Sequence, residues 1–335
     1  MRSSPHQHGI ASIAQDMQLV LLGMVPAALL LFAWFGPGVL FNLVLATGTA
    51  LAAEAGVLLL RKRDAKPALL DFSAVVTAVI LALALPYSLP WWMVIASTLF
   101  AIVIGKQLFG GLGYNPFNPA MLGYVMLLVS FPLEMTQWLP AVDVPGNADW
   151  WSRSLLNWGA GAPIDQLTAA TPLDHVRTSL LQGQTLSEVE PLPSGYGLHP
   201  SEWISLAFLA GGLWLMSKKV ISWHIPISML LSLWTLSFFF HAMDADTFAT
   251  PMFHLFHGAT MFCAFFIATD PVSAATTPKG RIVFGAGIGA LVFVIRTWGG
   301  YPDAVAFAVL LMNMTAPLID YYTRPRVFGT GKRNS

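Results

Sequence analysis

Apolar residues in this chain fall into long runs broken by short polar joints. A helix needs about 20 mostly apolar residues to cross hydrocarbon, and ten stretches approach that length: 17–36, 38–60, 69–86, 90–108, 117–132, 202–217, 222–240, 250–268, 282–298 and 303–321. Neither strict alternation nor a single amphipathic stripe describes them, so the pattern predicts an all-α polytopic membrane protein. Between the fifth and sixth stretches lies the only long polar segment, 133–201.

Composition agrees with the pattern. The chain of 335 residues is 56% hydrophobic and 10% charged with a mean hydropathy of +0.64, whereas soluble domains carry about a quarter charged residues. The segment before the first stretch, "MRSSPHQHGIASIAQD", lacks the basic region and cleavage pattern of a removable export signal, so the first span is expected to be permanent. Cys263 is the only cysteine, which excludes a disulfide framework and a cysteine-held iron–sulfur cluster or zinc site.

Net charge is zero, and its distribution is more informative. With a cytoplasmic N-terminus and alternating spans, 14 of the 17 Lys and Arg fall on the cytoplasmic side, among them Arg61, Lys62, Arg63, Lys66, Lys218, Lys219, Arg324 and Arg326. The opposite side receives Arg153, Arg177 and Arg296. Long loops escape the positive-inside rule, so the first two count for little. Both termini are therefore expected in the cytoplasm and the long loop outside it.

Two joints resemble each other. "GKQLFGGLGYNPFNPAM" links spans four and five, and "VIRTWGGYPDAVAFAV" links nine and ten. Each has a basic residue, paired glycines, a tyrosine and proline, then a new helix entered through Phe117 or Phe307. The offset of about 190 residues suggests two five-span repeats, inverted because five is odd. The organisation expected is a cytoplasmic segment 1–16, a repeat 17–132, an extracytoplasmic loop 133–201, a repeat 202–321 and a cytoplasmic tail 322–335. The plain reading of each joint is a tight hairpin turn. Asn115 and Asn118, three apart in "NPFNPA", add carboxamides that must find partners near lipid.

Other polar residues each have a plain and a functional reading. Glu54 lies within the second span and is an ion-path candidate; alternatively it meets Arg61 or water at the cytoplasmic end. Asp71 reads as an interface start, and Asp270 in "DPVS" as a turn and helix stop. His254 and His257 fall three apart on one helix face, where ordinary polar packing is expected over metal binding. Tryptophan pairs such as Trp91 with Trp92 suit interfacial anchoring. "GAGIGA" in the ninth span suits close helix packing, not a nucleotide loop. In the polar loop, Thr171-Pro172-Leu173-Asp174 reads as a helix start: an N-cap threonine, proline first, an acid three residues on.

Four segments carry a family resemblance over essentially the whole chain: "SSPH", "GGLGYNPFNPAM", "ATDPVSAATTPKGRIVFG" and "DQLTAATPLD". The chain resembles the NqrB/RnfD family. It is most similar to the RnfD component of the Rnf ion-translocating electron-transport complex and, more distantly, to the NqrB component of the sodium-pumping NADH:quinone oxidoreductase. The resemblance implies a membrane subunit of a redox-driven ion pump in the bacterial inner membrane. It implies covalent FMN, attached through a phosphoester by a flavin transferase that recognises Asp-x-x-Ser/Thr-Gly-Ala-Thr. Here that pattern falls on Asp165, Thr168, Ala169, Ala170 and Thr171, with alanine at 169 where glycine is expected. It further implies a second flavin, riboflavin, near Asn115 and Asn118. Partners would be the other subunits, the flavin transferase and membrane lipid; nothing calls for nucleic acid. A solute transporter or channel with inverted repeats and no redox role remains the alternative.

Overall fold

Every predicted apolar stretch contains helix. In the first part of the chain these are α1 (Ile10–Phe35), α2 (Gly38–Leu60), a short α3 (Lys66–Leu69), α4 (Ser73–Ala84) and α5 (Trp91–Leu99). α5 runs on as a π-helix over Phe100–Gln107 and is followed by α6 (Pro119–Ser130) and a short α7 (Pro132–Thr136). Then come α8 (Pro172–Leu181), α9 (Pro200–Ser217), α10 (His224–Met243), α11 (Pro251–Phe256) and α12 (Thr260–Phe262), the last continuing as a π-helix over Cys263–Ile267. α13 (Pro278–Trp298) and α14 (Val305–Thr323) complete the order. The structure is a computed structural model and describes residues 10–141, 170–189, 199–300 and 304–324.

Five of the described helical segments are long and apolar enough to cross a membrane: Ile13–Phe35, Gly38–Leu60, His224–Met243, Pro278–Trp298 and Val305–Thr323. The chain is thus a polytopic helical membrane protein. Proline and glycine shorten three of the others. α4 gives way at Leu85, which is extended ahead of Pro86, as a residue before proline prefers. α6 can begin only at Pro119, because proline is accommodated in a first helical turn. α11 and α12 are parted at Gly258, whose φ of 72° suits glycine.

In hydrocarbon, apolar side chains gain little by leaving lipid, so helices associate through close packing. α10 lies along α13, where a Cβ at Gly289 would overlap the Met229 carbonyl oxygen. α1 lies along α9, where a Cβ at Gly211 would overlap the Gly23 carbonyl oxygen. The "GAGIGA" glycines therefore serve helix contact. Further pairings join α2 with α4 and α5, α6 with the π-helix that follows α5, α13 with α14, and α6 with α14. Met24, Leu81, Leu215, Met229, Phe284 and Phe293 lie in one buried cluster. Leu22, Leu29, Val44, Leu231, Phe239 and Leu318 face outward, as expected where lipid is the solvent.

Gly289→Ala forces a methyl group into backbone, and overpacking of this kind costs about 1–3 kcal/mol. Gly48 in α2 has nothing within 4 Å of an added methyl, and alanine there favours helix by about 1 kcal/mol. Thermal unfolding in detergent should show a lowered Tm for Gly289→Ala and an unchanged or raised Tm for Gly48→Ala. Equal behaviour of the two would contradict the close α10–α13 approach.

Candidate functional site

Thr171 occupies the N-cap of α8 with an extended backbone (φ −66°, ψ 158°). Its Oγ1 accepts from the Asp174 backbone N–H at 3.2 Å, a bond that uses an oxygen lone pair and not the hydroxyl proton. Pro172 lacks the N–H that a first helical residue leaves unpaired anyway, and Asp174 places an acid in the first turn. Ala170 is exposed and Thr171 half-buried. The hydroxyl therefore stands next to accessible chain at the positive end of a ten-residue helix.

α8 is fastened to the bundle at two points. Pro172, Leu173 and Ser179 are its buried residues, and the Arg177 guanidinium donates through Nη2 to the Gly299 carbonyl oxygen. Gly299 is the residue at which α13 ends, its N–H donating to Ile295 O at 2.8 Å. Beyond α8, Leu186 N–H donates to Asp246 O at 2.9 Å, in the turn after α10. Arg177 appeared in the sequence only as a loop charge to be discounted. Its position one and a half turns after Thr171 was the signal that it could fix the helix Thr171 begins. Asp165 and Thr168, the rest of the expected attachment pattern, lie outside the described residues, as does Ala169.

The asparagines of "NPFNPA" are held apart in role. Asn118 is the N-cap of α6: its Oδ1 accepts from Met121 N–H at 3.2 Å, its Nδ2 donates to Ile267 O at 3.1 Å, and its N–H donates to Asn313 Oδ1 at 3.0 Å. Asn313 in turn donates to Ser273 O at 3.1 Å. Asn118 thus clasps α6, α14 and the π-helix at Cys263–Ile267. Asn115 closes a local turn, donating to Phe117 O at 3.0 Å.

Glu54 is fully buried and meets Lys106 Nζ at 2.6 Å and Gln107 Nε2 at 2.8 Å, both through Oε1. Its partner is not Arg61, which is exposed. Sequence reasoning noted Lys106 only as the basic residue of a joint and missed its pairing with Glu54, although a lone lysine in the apolar run "AIVIGKQLF" was the available signal. Lys106 also donates to Ser73 Oγ at 2.7 Å, and Ser73 donates through Oγ and N–H to Asp71 Oδ1 at 2.5 and 2.7 Å. Asp71 therefore turns the chain into α4.

Asp270 accepts from Ser273 Oγ at 2.6 Å and closes the turn expected of "DPVS". The two histidines do not share a helix face: α11 ends at Phe256, and His257 is extended (φ −106°, ψ 148°) ahead of Gly258. The break, invisible to residue spacing, turns His257 toward His199, with ring centroids 6.1 Å apart. Burial holds the His199 imidazole below its usual range, opposed by the charge of Glu202. Among the described residues no three His, Cys, Asp or Glu side chains gather as metal ligands would.

Comparison with known proteins bears on these features together. The model of the NQR2, RnfD, RnfE family matches residues 1–329. A relative from Ectopseudomonas mendocina, the D-type subunit of an ion-translocating oxidoreductase complex, is 52% identical over 99% of this chain and 96% of its own. Proteins of the same description from Vibrio cholerae serotype O1 and Escherichia coli O7:K1 are 49% and 48% identical over 98% of both chains. A match along nearly the whole chain, with relatives of almost the same length, means that this chain belongs to the NQR2, RnfD, RnfE family.

Proposed function

We propose that this chain is the membrane subunit of a redox-driven, ion-translocating electron-transport complex of the Rnf type, linked to ferredoxin and NAD through its partner subunits. It carries FMN as a phosphoester on Thr171 and has no independent catalytic activity. The observation that carries this reading is the position of the Thr171 hydroxyl, at the N-terminus of a helix fixed to the bundle and beside exposed Ala170.

The residues present fit the group. A hydroxyl is a weak nucleophile unless a base activates it; an external flavin transferase supplies that base, so the acceptor needs access and no triad of its own. An esterified phosphate would sit at the first turn of α8, where a helix N-terminus favours an anion, on the same side-chain oxygen that already meets the Asp174 N–H. Asp165 and Thr168 complete the attachment pattern in sequence. When bound, FMN passes electrons singly or in pairs, while the protein sets its orientation and surroundings. Arg177 holds α8 against the end of α13 and so limits where the Thr171 side chain can carry its load. A second flavin, riboflavin, belongs to the same reading beside Asn115 and Asn118, where the carboxamide of Asn118 is already engaged within the protein.

The ten apolar stretches cross the bacterial inner membrane as two inverted five-helix repeats, with both termini cytoplasmic. The helix pairings support this: α2 packs on α5 as α10 packs on α13, and α1 meets α9 while α6 meets α14. Lys106 and Arg296, the basic residues before the paired glycines, are both buried. The asymmetry of Lys and Arg supports the orientation. Translocation then requires two conformations whose balance follows the redox state of the complex.

Coexpression with the flavin transferase, followed by a denaturing gel under ultraviolet light, should give a fluorescent band that Thr171→Ala abolishes. A dark wild-type band under conditions that flavinylate a control protein would instead support a permease without flavin. Arg177→Ala removes one charge-assisted hydrogen bond, worth roughly 1.5–3 kcal/mol. Hydrogen exchange across 172–181 should then accelerate by roughly an order of magnitude or more, with exchange in α13 before Ile295 unchanged; unaltered protection of α8 would contradict the docking role.

A further inference from the structure

The buried group around Glu54 is more than a paired charge. Hydrogen bonds run without a gap from Asp71 Oδ1 to Ser73 Oγ (2.5 Å), to Lys106 Nζ (2.7 Å), to Glu54 Oε1 (2.6 Å), with Gln107 Nε2 holding the same carboxylate oxygen at 2.8 Å. The chain of contacts joins the start of α4, the middle of α2 and the end of the π-helix over Phe100–Gln107. One end approaches the surface, since Asp71 is 8% exposed. The other ends on an oxygen with nothing to bind: Glu54 Oε2 is buried without a hydrogen-bond partner among the described residues, and so is Gln107 Oε1.

A structural ion pair does not explain this arrangement. Buried pairs add little stability, and well-packed apolar residues often serve better. Orphaned buried oxygens make the pair worse still as a structural element. The group also sets two carboxyl groups, of Asp71 and Glu54, on one lysine-centred chain of hydrogen bonds. A π-helical turn, rare in proteins and frequent at functional sites, presents both Lys106 and Gln107.

We propose that Asp71, Ser73, Lys106 and Glu54 form a proton relay that leads from the surface near Asp71 to Glu54 Oε2 inside the bundle. The ligand is the proton, since every link is an N–H or O–H donor meeting an oxygen. In one passage, an N–H bond of the Lys106 ammonium breaks and an O–H bond forms on Glu54, which leaves a neutral amine and a neutral acid. The amine regains its proton from Ser73 Oγ, whose hydroxyl turns toward Nζ, and Ser73 is reprotonated by the acid form of Asp71. Asp71 takes its proton from water. The new O–H of Glu54 forms on Oε1, the oxygen that faces Lys106; the neutral carboxyl then turns about its Cγ–Cδ bond, which brings that O–H to the position of Oε2, and the proton leaves there. One proton enters, one leaves, and no electron moves. Gln107 is a positioning residue: its amide holds the carboxylate oxygen that faces Lys106, ready to receive the proton. The relay is independent of the flavin on Thr171.

The test uses the whole complex in liposomes, with electron transfer and internal pH followed together. Glu54→Gln should leave flavin attachment and uncoupled electron transfer intact, yet reduce protons moved per electron by about tenfold or more, the scale on which positioned acid–base groups act. Lys106→Gln should do the same, and Glu54→Gln with Lys106→Gln, which removes both charges together, provides a variant that need not bury an unpaired ion. An unchanged proton-to-electron ratio in any of these assembled variants overturns the relay, as does ion movement carried wholly by sodium and insensitive to Glu54→Gln. If no variant assembles, infrared difference spectra of the wild-type complex with isotope-labelled glutamate decide. A glutamic acid signal that follows turnover supports the relay, and its absence overturns it. Loss of flavin fluorescence with an intact proton ratio would count against the flavin reading alone.

Discussion

A polar group placed in hydrocarbon has no water to turn to, and this constraint organises the protein. An unpaired amide or charge there costs several kcal/mol, so each buried polar side chain must be met by another part of the fold. Asn118 is met from three directions, by Met121, Ile267 and Asn313. Because those partners are far apart in sequence, the carboxamide of Asn118 fixes α6 against the π-helix at Cys263–Ile267 while its backbone N–H, held by the Asn313 carboxamide, fixes α6 against α14. Glu54 is met by Lys106 and Gln107, which fixes α2 against the end of the π-helix that follows α5. The bundle is thus located by a few polar clasps and by glycine contacts that let backbones touch.

The same constraint separates the two kinds of chemistry. Thr171 lies in the polar segment between the two apolar halves of the chain, beside exposed Ala170, where on the proposed reading a modifying enzyme reaches it and a charged phosphate is tolerated. Glu54 and Lys106 are buried in the bundle, so the proposed proton passes along groups the protein provides. Both sites rest on the paired-glycine joints. Arg177 grips the carbonyl of Gly299, and the orphan oxygen of Gln107 lies 3.8 Å from where a side chain on Gly111 would begin. In the inverted arrangement proposed above these joints stand on opposite faces of the membrane. A shift of one repeat against the other would therefore reach both sites together.

The helices were legible because twenty-residue apolar runs need no tertiary information, and Thr171 was legible as a cap because capping depends on four consecutive residues. What could not be read depends on contacts between distant segments. Lys106 lies 52 residues from Glu54 in sequence, and no local pattern joins them. Arg177 looked like one more loop charge until its carbonyl partner, 122 residues away, was known. The histidine pair failed for the opposite reason: helical spacing presumed a helix that Gly258 breaks. Asn118 was legible as a group that must find a partner, yet the identity of its partners was a property of the assembled bundle.

The central claim is that a single loop hydroxyl carries the redox group of this protein. It is tested most directly by mass mapping of proteolytic peptides from the complex isolated from its own cells. The account predicts that the peptide containing Thr171 bears the mass of FMN joined with loss of water, and that fragmentation assigns it to that side chain. Recovery of this peptide wholly unmodified, or flavin located on another residue, would contradict the account.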